Sequence, residues 1–183
     1  MTCIVAIKTP KKIYIGADSA GVSVSDLTIE RRADPKIHKN ERFIFGGAGS
    51  FRAIQLMSTL VLPKQKAGQT DFQFMCVDFV KAVQKLFEKN GFEGINKRSE
   101  RSVEAEFIIG YNGELYVMST DYQIAMLHQN YTAIGCGAGF ALGSLHATQE
   151  MSSLKPRERL LKALTAADEF SAGVCQPFLI EEF

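Results

Sequence analysis

The stretch Glu106-Phe-Ile-Ile-Gly-Tyr-Asn-Gly-Glu-Leu-Tyr-Val-Met118 decides the fold class. Two β-rich runs flank Asn112-Gly113, and an Asn-Gly pair in that setting is the strongest short hairpin signal. The chain start has the same form. Thr2-Cys-Ile-Val-Ala-Ile-Lys8 and Ile13-Tyr-Ile-Gly-Ala17 are joined by the polar turn Thr9-Pro-Lys-Lys12, which predicts a second hairpin. Strands linked this way pair antiparallel.

Weaker signals fill in around these hairpins. Val22, Val24, Leu27 and Ile29 alternate with polar residues and predict a strand, and Arg42–Phe45 predicts another, stopped by Gly46-Gly-Ala-Gly49. Ser50 is a plausible N-cap for a helix carrying Phe51, Ile54, Met57 and Val61, which ends before Pro63. A longer helix is expected over Asp71–Lys89, with Phe72, Met75, Phe79, Val83 and Leu86 on one face and Asn90-Gly91 at its end. A charged loop, Gly94–Arg101, follows. Tyr122–Met126 and Tyr131–Ile134 read as strands. One helix runs from Gly139 to about Met151, and another starts at Pro156 and carries Leu160, Leu161, Leu164 and Ala167. Pro177–Ile180 reads as an edge strand. The order is strands, two helices, strands, two helices, strand. Each helix pair has one apolar face that must cover a sheet. The economical solution is an α+β fold, a four-layer αββα sandwich of two antiparallel sheets, in a single domain over residues 1–183.

Composition narrows the function classes. The chain has 183 residues, enough to bury roughly 70% of its unfolded surface without a disulfide or a structural metal. Hydrophobic residues make up 46% and charged residues 22%, which excludes a disordered tail, a fibrous repeat or a coiled coil. The net charge of +1 gives no whole-chain case for nucleic acid or an anionic membrane. The basic stretch Arg31–Arg42 contains Asp34 and Glu41 and reads as a solvated loop. The apolar runs are far too short to span a bilayer, and Lys8, Lys11 and Lys12 break any signal peptide. Cys3, Cys76, Cys136 and Cys175 are scattered, and His38, His128 and His146 have no ligand spacing. Together these predict a reducing, cytoplasmic setting with no metal and no cofactor.

Two features could carry chemistry. Gly46-Gly-Ala-Gly49 and Gly135-Cys-Gly-Ala-Gly139 each lie between a strand and a helix, where backbone N–H groups can meet an anion or a developing oxyanion. Tight turns explain them equally well, and neither is a Walker loop. The second feature is Thr2, which becomes the first residue if Met1 is removed. It would then carry a hydroxyl nucleophile and a free amine that titrates near pH 8 and can act as its base. Alone this is a weak signal.

In sequence, however, the pieces form a pattern: Thr2-Cys-Ile-Val, Gly16-Ala-Asp18-Ser19, Lys36-Ile, Gly46-Gly-Ala-Gly49, Ala133-Ile-Gly-Cys-Gly137 and Asp168-x-x-Ser171-x-Gly173. This resembles the proteasome β-subunit superfamily of N-terminal nucleophile hydrolases, and within it the HslV-type bacterial peptidases and related prokaryotic homologues. The resemblance runs over nearly the whole chain and implies a threonine-type endopeptidase.

Residue by residue, the resemblance implies Thr2 as nucleophile and base, Asp18 orienting the site lysine, and Lys36 as that lysine. It implies Gly46 as the oxyanion-hole donor and Asp168 with Ser171 as a supporting pair. Cys136 stands where the family has Ser and would hold the amine with a weaker hydrogen-bonding group. Ser19, Ile44 and Ala48 would line a pocket for the residue before the cut, with apolar walls favouring apolar side chains. Read locally, Asp18 fits a turn, Lys36 a solvated loop with Lys39 as its competitor, and Asp168 and Ser171 a helix end. The resemblance further implies polypeptide substrates, homo-oligomeric stacked rings and an ATP-dependent unfoldase, with no nucleic acid or membrane partner. A small-molecule amidase of the same fold and an inactive ring-forming homologue stay open, since Met1, if kept, turns the Thr2 amine into an amide.

Overall fold

The computed structural model describes residues 1–23, 25–26, 28–40, 42–92, 94–95 and 101–183. Val24 and Leu27 of the expected alternation, Glu41, and residues 96–100 of the charged loop lie outside the described residues.

Strands β1 (Cys3–Lys8) and β2 (Ile13–Ala17) form the first expected hairpin. The next elements are β3 (Ala20–Ser23), β4 (Thr28–Arg31), β5 (Ile37–Lys39) and β6 (Phe43–Gly49). Helix α1 (Phe51–Met57) starts at Ser50, whose side chain accepts from the Ala53 N–H. Helix α2 (Asp71–Phe74) opens with a reciprocal Thr70–Gln73 capping box. It passes through a π-helical turn (Met75–Phe79) into α3 (Val80–Lys89). Then follow β7 (Gly94–Ile95), β8 (Arg101–Ser102), β9 (Ala105–Tyr111) and β10 (Glu114–Met118). Asn112 and Gly113 join the last two with φ of 48° and 78°, as the Asn-Gly signal requires. The chain ends with β11 (Ile124–Met126), β12 (Tyr131–Gly135), α4 (Ala138–Ala147), α5 (Pro156–Phe170) and β13 (Leu179–Glu182).

Several expected boundaries move for local reasons. The single strand expected over Val22–Ile29 is two strands that pair with each other, because Asp26 accepts from the Ser23 and Ser25 hydroxyls and folds a turn between them. Tyr122 has a φ of 67°, so β11 begins only at Ile124. The last strand starts at Leu179 rather than Pro177, which has no N–H for a ladder.

Among the described residues, nine strands assemble into a four-stranded sheet, β12-β1-β2-β13, and a five-stranded sheet, β11-β10-β9-β6-β5, while β3-β4 and β7-β8 form separate pairs, all antiparallel. The molecule is thus mixed α/β with antiparallel sheets. Strand β1 is apolar on both faces and shows why. Ile4 and Ala6 join Ile15, Ile44 and Ile108 in one core, whereas Cys3, Val5 and Ile7 pack with Leu145, Leu160 and Leu164 of α4 and α5. A third core sets Phe43, Phe45, Phe107 and Ile109 against Ile54, Phe79 and Val83. Each fully buried side chain of this size contributes about 1.5–3 kcal/mol.

Gly46 belongs to the face of β6 that carries Ile44 and Ala48. A Cβ there would lie 2.6 Å from Ile4 Cγ2 and 3.2 Å from Ile15 Cγ2, so glycine lets β6 approach the other sheet closely. Gly46→Ala is therefore expected to cost about 1–3 kcal/mol through overpacking. Urea denaturation checks this, and an unchanged midpoint would contradict the close approach.

Candidate active site

The antiparallel pairing of β1 with β12 places Cys3 opposite Gly135 and so sets Cys136 beside Thr2. The Thr2 N–H donates to the Cys136 sulfur at 3.3 Å. The Thr2 carbonyl accepts from the Cys136 thiol and from the Gly137 N–H, each at 3.4 Å. Gly135 makes this possible: its φ is +90°, and a Cβ would stand 2.3 Å from the Thr2 carbonyl oxygen. The Ser171 hydroxyl donates to Cys136 at 3.5 Å from the C-terminal end of α5. Thr2 is 1% exposed, and its hydroxyl donates to the Met1 carbonyl at 2.5 Å.

Asp18 follows β2 and is enclosed. One carboxylate oxygen accepts from the Cys3 N–H at 2.9 Å and from Lys36 Nζ at 2.7 Å. The other accepts from the Ala20 N–H at 2.9 Å and the Cys175 N–H at 3.4 Å. Both side chains of the pair are essentially inaccessible, at 1% for Lys36 and 0% for Asp18. Burial lowers the Lys36 pKa below the ordinary lysine value, and Asp18 opposes that shift. The Cys3 thiol, on the helix-facing side, is pushed up to about 12 by burial and then by Asp18, which keeps it unreactive. Lys39, the competing lysine, is exposed and pairs with Glu181 at 2.5 Å.

A cavity of about 270 Å³ opens over Thr2 and is also lined by Ala48, Gly49, Glu104, Glu106 and Cys136. The expected residues divide around it. Thr2, Cys136 and Ala48 line it, Ser171 reaches Cys136, and Asp18 with Lys36 lies behind the first residues of β1. Asp168 is half-buried and accepts from Gln176 at 3.3 Å, which is its hydrogen bond here. Ile44 is sealed in the core between the sheets. Ser19 donates to the Cys175 carbonyl and borders a separate cavity of about 310 Å³.

Gly46 also lies away from the cavity, enclosed by Ile4 and Ile15. The ladder alternation explains its backbone as well. The Ser50 N–H donates to the Glu104 carbonyl, so even-numbered residues of β6, Gly46 among them, turn their N–H toward β9. Gly47 turns the other way and donates to the Lys36 carbonyl at 3.1 Å. Gly49 shares that direction, has a φ of +108°, and lines the cavity past the end of β5. Within the cluster offered by the sequence for an oxyanion, Gly46 is the glycine that the resemblance singles out, and Gly49 is marked only by its place directly before the Ser50 N-cap. Among the described residues, no group of three or more His, Cys, Asp or Glu is placed to hold a metal ion.

Replacing Lys36 by Met leaves the Asp18 carboxylate buried without its cation, so the variant is expected to lose about 3–5 kcal/mol in denaturant unfolding. Over the window between the lowered folded pKa of Lys36 and the ordinary value near 10.4, the unfolded chain binds more protons. Lys36 therefore makes stability rise with pH in that window, and the rise disappears in Lys36→Met. A cost below about 1 kcal/mol would contradict the buried pair.

No protein-family model matches the chain. Over 176 residues it is 27% identical to the ATP-dependent protease subunit HslV of Caldicellulosiruptor saccharolyticus, covering 95% of this chain and 91% of that protein. Its fold superposes on Thiobacillus denitrificans BPH, solved in complex with epoxomicin, with a TM-score of 0.82 at 16% identity, covering 100% of this chain and 98% of that one. It also superposes on the eukaryotic HslV of Trypanosoma brucei, with a TM-score of 0.69 at 17% identity over 99% and 98% of the two chains. The resemblance carried by the motifs is thereby borne out: this chain is a homologue of HslV and has the fold of the proteasome-like N-terminal nucleophile hydrolases.

Proposed function

We propose that this chain is a threonine-type endopeptidase subunit of a self-compartmentalised, proteasome-like protease, acting through Thr2 once Met1 is removed. The observation that carries the reading is the position of the Thr2 nitrogen. It faces Cys136 at the floor of a cavity, one residue from the Cys3 N–H that is tied to the Asp18–Lys36 pair.

In this reading the free Thr2 amine takes the proton of the Thr2 hydroxyl, and Oγ attacks the peptide carbonyl. The positive charge of Lys36, oriented by Asp18, disfavours a second positive charge on the amine and keeps it basic and neutral. Gly49, in place of Gly46, offers its N–H to the oxyanion. The amine returns the proton to the leaving nitrogen, and water hydrolyses the Thr2 ester. Cys136, with Ser171 behind it, fixes the amine, and Asp168 supports that end of α5. No cofactor or metal enters.

Met1 occupies the space this chemistry needs. A Cβ on Gly173 would lie 2.4 Å from Met1 Cβ and 2.8 Å from the Cys136 sulfur, so Met1 packs into the glycine gap beside the site. With the Thr2 carbonyl held and Cys3 fully buried, the Met1–Thr2 bond is enclosed on its C-terminal side. Met1 removal then belongs before β1 docks. A protein that keeps Met1 would fit the second reading, an inactive ring-forming homologue.

The two sheets with their helix cores are read as the four-layer αββα sandwich of a single domain, residues 1–183. Among the described residues no helix is long and apolar enough to cross a membrane. The similarity to an ATP-dependent protease subunit supports a cytoplasmic homo-oligomer of stacked rings that takes polypeptides from an ATP-dependent unfoldase. Neither nucleic acid nor a membrane is a partner in this reading.

Intact mass of the purified protein should lack one methionine residue, and an epoxyketone should add to it stoichiometrically. Thr2→Ala should abolish both the labelling and casein hydrolysis. A protein with a free Thr2 that neither labels nor cleaves would sink the peptidase reading, and a Met1-bearing, unreactive protein would establish the inactive homologue.

A further inference from the structure

The wall of the cavity over Thr2 carries two glutamates, Glu104 and Glu106, beside the apolar Ala48 and Ala105. Strand β9 alternates strictly: Phe107, Ile109 and Tyr111 face the helix-side core, whereas Ile108 faces the core between the sheets. Gly110 shares the Ile108 side, since a Cβ there would meet Ile13 and Ile44. Glu106 continues that inward face, directly opposite Ala48 in the register. A packed sheet would place an apolar residue at this position. Glu106 is instead half-buried at the cavity wall, and Glu104 is exposed at the same wall.

Among the described residues, no lysine or arginine lines this cavity and neither glutamate takes part in a salt bridge. Lys36, the buried cation behind the first residues of β1, has Asp18 as its partner and does not pair with either glutamate. Two glutamates with no cationic partner among the described residues thus stand at the wall of the cavity, within reach of a substrate lying across Thr2.

We infer that Glu104 and Glu106 set the selectivity of the site, binding a lysine or arginine side chain within two residues of the bond to be cut. This deepens the peptidase reading and rests on it. A carboxylate that is partly withdrawn from water attracts a cationic side chain more strongly than an exposed one and repels an acidic one. An inward glutamate at an otherwise apolar register position is a local inconsistency of the kind that marks functional sites. Of the three residues expected to line an apolar pocket, Ala48 reaches this cavity, whereas Ile44 and Ser19 do not.

The test uses internally quenched peptides that differ only in carrying Arg, Glu or norleucine at each of the two positions on either side of the scissile bond. At one position Arg should raise kcat/KM about five- to tenfold over norleucine, the ratio of one well-placed ion pair, and Glu should lower it. The preference should shrink as salt rises. In Glu104→Gln/Glu106→Gln the three peptides should converge to within about twofold. Equal cleavage of the three peptides by the wild type, or a preference that survives in the double variant, would overturn the inference. Fluorescence anisotropy of the same peptides on Thr2→Ala separates the two readings. Tighter binding of the Arg peptide without hydrolysis by the wild type would uphold the carboxylate site and sink the peptidase reading, whereas hydrolysis with indifferent binding would do the reverse.

Discussion

The buried Asp18 carboxylate holds the site together. It stands just past β2, in the four-stranded sheet, and takes four donors: the Cys3, Ala20 and Cys175 N–H groups and the Lys36 ammonium. Lys36 leads into β5 of the five-stranded sheet, so one ion pair ties the two sheets together where their ends frame the cavity. A charge withdrawn from water to this extent persists only when each lone pair is used. The same arrangement that satisfies Asp18 fixes the first residues of β1, and with them Thr2. The contacts that satisfy Asp18 and those that set Thr2 in place are a single set here.

Glycine controls the second constraint, how closely backbone can approach backbone. Gly46 lets β6 press on Ile4 and Ile15, and Gly135 lets its strand end lie against the Thr2 carbonyl. Gly173 leaves room for whatever precedes Thr2. These are three different uses of a missing Cβ: sheet packing, a left-handed turn, and space beside Thr2. The near-neutral total charge likewise conceals local structure, since the buried Lys36–Asp18 pair lies behind a cavity whose wall carries two glutamates with no salt bridge among the described residues.

Much of this was legible in the chain. The Asn112-Gly113 turn, the first hairpin and the helix starts at Ser50 and Pro156 are set by short-range chemistry, and local sequence exposes them. Thr2, Asp18, Lys36, Cys136 and Ser171 could be read as a group because each sits in a motif, and contacts link them in the fold. What local sequence concealed was direction. Gly46 and Gly49 look alike in Gly46-Gly-Ala-Gly49, but ladder alternation and the positive φ of Gly49 separate them. Ile44 and Ala48 share one face of β6, yet the strand carries the first into the core and only the second to the cavity. Glu106 was invisible as a site residue because its meaning depends on pairing with Ala48, many residues away. The Ser23–Asp26 turn was hidden within an alternation that suited a longer strand.

The central claim is that Thr2, rather than the neighbouring exposed thiol of Cys136, is the reactive group of this cavity. Peptide mapping of the epoxyketone adduct by mass spectrometry tests it most directly. The account predicts the adduct on a peptide that begins at Thr2, with Cys136 unmodified. An adduct on Cys136 with Thr2 untouched would contradict it.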